Sequence, residues 1–135
     1  MFKNRNAVID KDIYGYKINN GIVFCCSPSH LFNTLTGKSV RLRSTMSLLL
    51  RYLIDNAYMN KVNDEMIMIE VFEDRGLKCS RQRLWQAVNS LEALLNSVGL
   101  GKKLLSRIDG NGYAILNVTV AALYYHADEN ARIAS

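Results

Sequence analysis

Apolar and polar positions change their period as this chain proceeds. Up to Leu42 they come in short alternating runs. Tyr14–Ile18 and Ile22–Cys26 flank Asn19-Asn20-Gly21, a triplet that tolerates positive φ, so the pattern predicts a β-hairpin. Pro28, the only proline, stands between Ser27 and Ser29 and ends the second run. His30–Leu35 and Ser39–Leu42 read as two further short strands around Thr36-Gly37-Lys38. The amino-terminal third is therefore expected to be an antiparallel sheet of about four strands, preceded by a polar, aperiodic lead-in over residues 1–13.

From Ser44 the period is helical. Met46, Leu49, Leu50, Leu53 and Ala57 form one stripe, which predicts a helix over Thr45–Asn56 with Ser44 or Thr45 as its cap. Asn63 is the next cap candidate. Asp64 and Glu65 then fall in a first turn, where the helix dipole favours negative charge. Ile67, Val71 and Phe72 face inward from this second helix, which stops at Arg75-Gly76. After a short link, Cys79–Leu95 carries a seam of Leu84, Ala87, Val88, Leu91, Leu94 and Leu95, with Ser80 placed to cap it. Trp85 sits at the flank of that helix and is expected to be a partly buried packing residue. Gly99 is available for a left-handed cap. Leu104–Ile108 and Tyr113–Leu116, joined by Asp109-Gly110-Asn111-Gly112, give the strongest hairpin signal in the chain. Val118–Ser135 is expected to add one short helix or to run as a linker. The fold class is α+β, with one domain over residues 14–117 and a tail over 118–135.

Length and composition fit that reading: 135 residues at 49% hydrophobic can bury one core. The formal charge of +5 is unevenly spread. Residues 1–54 hold eight basic and two acidic side chains, residues 55–74 one basic and six acidic, and residues 75–107 seven basic and one acidic. Positive charge thus gathers on the third helix and on the segment after it, as a nucleic-acid footprint would. Cys25 and Cys26 point to opposite faces of a strand, Cys79 stands apart, and His30 and His126 have no partner at ligand spacing. Reduced thiols, no metal and no cofactor are expected. No carboxylate pair, activated nucleophile or phosphate-binding glycine loop emerges, so an enzyme is not expected. The longest uncharged run, Gly110–Ala127, contains Gly112, Asn117 and Thr119 and alternates in its first half, which argues against a membrane span.

The third helix carries the candidate chemistry. Opposite its leucine seam lie Gln82, Gln86, Asn89 and Ala93, with Ser90 beside them and Arg81 and Arg83 near the helix start. A merely solvated helix more often shows Glu and Lys there. Amides and a hydroxyl can pair with base edges in a major groove, and arginines with phosphate or guanine. Two readings stay open for this helix, a structural one and a recognition helix. Two also stay open for the second hairpin. It is a solubilising edge, or it is a wing whose Lys102, Lys103 and Arg107 meet a phosphate backbone while Asn111 reaches a minor groove.

Together these residues resemble the OmpR/PhoB-type winged helix-turn-helix DNA-binding domain, especially the ToxR/CadC-like transcriptional activators, over about Gly21–Leu116. Leu42-Arg-Ser-Thr-Met-Ser-Leu-Leu-Leu50 is similar to the opening of the family's first helix, and Val71-Phe72 to the end of its second. Val88-Asn-Ser-Leu-Glu-Ala-Leu-Leu95 is similar to its third, and Arg107-Ile-Asp-Gly-Asn-Gly-Tyr113 to its wing. Met46, Glu92 and Asp109 depart from the family's glutamate, arginine and basic wing residue. The resemblance implies a transcriptional regulator that binds double-stranded promoter DNA, with the third helix in the major groove. It also implies RNA polymerase contact through Glu73–Lys78, a homodimer on DNA, no small-molecule substrate, and a cytoplasmic location as a free protein or as part of a membrane-anchored regulator. The competing reading is a winged-helix protein-interaction module that has lost DNA binding, which Glu92, Asp109 and the acidic second helix favour.

Overall fold

The structure is a computed structural model that describes residues 12–125. His126, most of the lead-in and the outer part of the tail lie outside the described residues. The amino-terminal strands are β1 (Ile13–Ile18), β2 (Ile22–Cys26), β3 (Ser29–Asn33) and β4 (Ser39–Arg41). They form an antiparallel meander in which Tyr16 faces Phe24 across one pair and Phe24 faces Leu31 across the next. The alternation read from the sequence is kept: Tyr16, Ile18, Ile22, Phe24 and Leu31 point into the core.

The sheet has a fifth strand that the local pattern did not announce. Segment β8 (Val120–Tyr124), expected as a helix or linker, pairs antiparallel with β1, giving the order β4-β3-β2-β1-β8. Its alanines are poor strand formers, but Thr119 anchors the segment beside β1. The Thr119 amide donates to Asn19 Oδ1 at 3.0 Å and the Asn19 amide donates to the Thr119 carbonyl at 2.8 Å. Val120 and Ala122 then pack against the core. A second sheet of three short strands, β5 (Val62–Asn63), β6 (Ser106–Ile108) and β7 (Gly112–Ala114), has β7 in the middle.

Three helical segments share one core with both sheets. Helix α1 (Ser44–Ala57) buries Leu49, Leu50, Leu53, Ile54 and Ala57, and its cap position is Arg43, with no side-chain cap. Ser44 and Thr45 are thus inside the helix and do not cap it. Segment α2 opens as one α-helical turn (Asp64–Ile67), widens into a π-helical stretch (Met68–Phe72) and tightens to a 3-10 turn (Glu73–Arg75). It ends at Gly76, whose φ of 79° is left-handed. Asn63 holds its cap position without a side-chain bond; the Asp64 amide instead donates to the Asn111 carbonyl at 2.9 Å. Helix α3 (Arg81–Ser97) is capped by Ser80, whose hydroxyl oxygen accepts from the Arg83 amide at 3.1 Å. It terminates on Gly99 at φ 100°. Leu84, Val88, Leu91 and Leu95 form its buried seam, packed with Leu104 and Ile115 from either side of the β6–β7 hairpin.

Candidate nucleic-acid interface

Four helical turns with one buried seam leave the other side of α3 to solvent. Gln82, Gln86, Asn89 and Ala93 form an exposed ridge along it, uncharged over its length, as the sequence predicts. Ser90 and Arg83 flank the ridge on one side. Trp85 lies on the other and is 57% exposed, so it is not the packing residue expected of it.

The flank toward the hairpin is built around one carboxylate. Asp64 is 1% exposed. It accepts from Arg81 Nη1 at 3.0 Å and from Arg107 through two bonds, at 2.7 and 2.8 Å. Arg81 also donates to Glu65 at 2.6 Å. Arg107 donates further to the Gly110 carbonyl at 2.7 Å and lies 4.6 Å from the Tyr113 ring centroid. Hydrogen bonding to Asp64 pushes the Arg107 pKa above its ordinary value. Burial raises Tyr113, with Arg107 opposing. Arg81 and Arg107, which the sequence points at phosphates, therefore join the starts of α2 and α3 to the hairpin.

Glu92 and Asp109 also find internal partners. The Glu92 carboxylate accepts from the Leu104 and Leu105 amides at 2.8 and 2.9 Å, fixing the chain where it turns toward β6. Asp109 accepts from Lys61 Nζ at 3.3 Å. Both carboxylates are thus taken up within the molecule, Glu92 by two backbone amides and Asp109 by an exposed ion pair. At the hairpin tip, Asp109 at φ 53° and Gly110 at φ 72° make the turn, and Asn111 is exposed beside them. Lys102 and Lys103 are exposed on the approach to β6.

The far flank of α3 carries a second group of cations, outside the residues that the helix pattern singles out. Arg41 and Arg43 at the β4–α1 corner, Lys78 in the link before α3 and Arg83 on α3 line one groove of about 710 Å³, together with Gln86 and Ser90. Its floor is apolar, from Met46, Phe72, Leu77 and Leu94 among others, and no carboxylate lines it. None of the four cations forms an ion pair with another described residue. The signal was present in Arg41-Leu42-Arg43, because a buried Leu42 puts both neighbours on the opposite side of an extended chain. Beside the groove, burial raises the Cys79 thiol above its usual range, Glu73 adding to the shift and Arg83 opposing it.

No protein-family model matches this chain, and no curated protein matches it. Among solved structures, the DNA-binding domain of E. coli CadC is similar over 84% of this chain and 99% of its own, with a TM-score of 0.64 and 12% identity. At that identity the likeness shows a shared fold, a mixed α+β arrangement of three helices and antiparallel sheets.

Proposed function

We propose that this domain, which shares the fold of the CadC DNA-binding domain, is a sequence-specific DNA-binding transcriptional regulator, acting as an activator. The observation that carries this reading is the exposed amide ridge on α3, uncharged and backed by a leucine seam. Gln82, Gln86, Asn89 and Ser90 meet base edges, and Arg83 reaches a phosphate or a guanine. The β6–β7 hairpin serves as the wing, with Lys102 and Lys103 toward the backbone and Asn111 toward the minor groove. Arg81 and Arg107 contribute by holding helix and wing in register. The duplex is promoter DNA, bound by two copies. Glu73–Lys78 faces RNA polymerase, the setting is cytoplasmic, and no chemical step is catalysed.

Gln86→Ala tests the base-reading role. Binding to a selected promoter duplex is expected to weaken by about tenfold, the order of one lost bidentate base contact, while binding to random duplex is unchanged. Equal losses on both would contradict base reading. Exposed Met66, Ile69 and Leu77, on or just after the segment that carries Glu73 and Asp74, favour the second reading, a protein-interaction module. Failure of the wild-type chain to shift any duplex would select it.

A further inference from the structure

We propose that Arg41 and Arg43 hold the DNA strand running along the flank of α3 away from the hairpin, so that the domain grips both phosphate rows bordering one major groove. The proposal rests on the DNA-binding reading. An α-helix with its side chains is about 10–12 Å across and the major groove about 12 Å wide, so a helix lying in it has a phosphate row close on either side.

The two flanks of α3 are charged in different ways. On the hairpin side, the guanidinium groups of Arg81 and Arg107 are already shared with Asp64 and Glu65, which leaves Lys102 and Lys103 as the uncommitted cations there. On the other side Arg41, Arg43, Lys78 and Arg83 converge on one groove with no acidic residue in its lining. Glu73 stands beside Lys78 in the adjoining cavity, but the four cations outnumber it, so the groove carries net positive charge that an apposed polyanion would offset.

The backbone under these arginines is fixed. Leu42 is buried, its amide donates to the Ser29 carbonyl at 3.1 Å, and the Arg43 carbonyl accepts from the Ser47 amide at 2.9 Å. Gln86 and Ser90 belong both to the ridge of α3 and to the groove wall. A duplex read by the ridge therefore runs directly over the groove. The apolar floor suits the deoxyribose faces between successive phosphates.

The test uses the full chain and a labelled random-sequence duplex, because phosphate contacts do not depend on sequence. The slope of log affinity against log salt is compared for three proteins: wild type, Arg41→Ala with Arg43→Ala, and a charge-matched control, Lys17→Ala with Lys38→Ala. Lys17 and Lys38 are exposed and lie outside the groove. The arginine pair is expected to make the slope shallower by roughly two and to weaken binding at least about tenfold at physiological salt. The lysine control is expected to stay close to wild type. Equal slopes for the two double variants would overturn the clamp while leaving the DNA reading intact. A wild-type chain that binds no duplex would overturn both. Should the alanine pair lower the unfolding midpoint, Arg41→Gln with Arg43→Gln keeps the side-chain bulk and takes its place in the same comparison.

Discussion

Asp64 shows how far a residue's neighbours in space can differ from its neighbours in sequence. Its position announces a helix start, where a carboxylate favours the dipole. Nothing local announces that it holds Arg81, 17 residues on, and Arg107, 43 residues on. The same limit applies to Glu92, which looks like a misplaced charge until two backbone amides are found on it. A buried carboxylate is costly to desolvate and persists here because paired arginines satisfy it. Asp64→Asn keeps the size, loses the charge and cannot serve both guanidinium groups. The free energy of unfolding is expected to fall by about 2 kcal/mol, the scale of a hydrogen bond to a charged group. Denaturant titration reads this directly, and an unchanged midpoint with unchanged slope would show the network to be ornamental.

Elements were legible where a local period specifies them. The three helices begin and end within a few residues of the positions their apolar stripes predict, because each stripe must face one core. The hairpin turn at Asp109-Gly110 was legible because positive φ selects those residue types. Strand β5 was not, since two residues carry no pattern, yet it decides how tightly the hairpin is held. Gly112 sits in β7 opposite Asn63 of β5. A Cβ there would lie 2.7 Å from Lys61 Cε and 2.8 Å from the Val62 carbonyl oxygen. The lysine can move aside, but the backbone oxygen cannot without opening the strand pair. Gly112→Ala is therefore expected to cost about 1–3 kcal/mol, as other overpacked sites do. Thermal unfolding measures it, and a wild-type midpoint would mean that the β5–β7 pair tolerates a wider spacing.

At the scale of the whole molecule, the local pattern does not announce the strand at Val120–Tyr124. Strand β8 lies beside β1, about a hundred residues earlier in the chain, and no local window contains both. Of the candidate interface, the amide ridge was legible from period and composition alone. The groove was not, because it needs Arg41 and Arg43 beside Arg83, which only the packing of α1 on α3 provides. Ending the chain at Asn117 would remove Val118, which is buried, along with β8, and leave β1 as a bare edge. Burial of Val118 contributes on the order of 2 kcal/mol and the half-buried Val120, Ala122 and Leu123 together about as much again, so the loss comes near the lower end of the whole stability of a small domain, about 5–15 kcal/mol. The shortened chain is expected to lose cooperative thermal unfolding by circular dichroism. A sharp transition near the wild-type temperature would restore β8 to the status of a tail.

The closing pair of the large sheet extends past its strands, where the Tyr125 amide donates to the Asp12 carbonyl at 2.8 Å. The two ends of the described residues are thus one hydrogen bond apart. Residues 12–125 spliced into a surface loop of another protein would ask the host to open a gap no wider than a strand spacing.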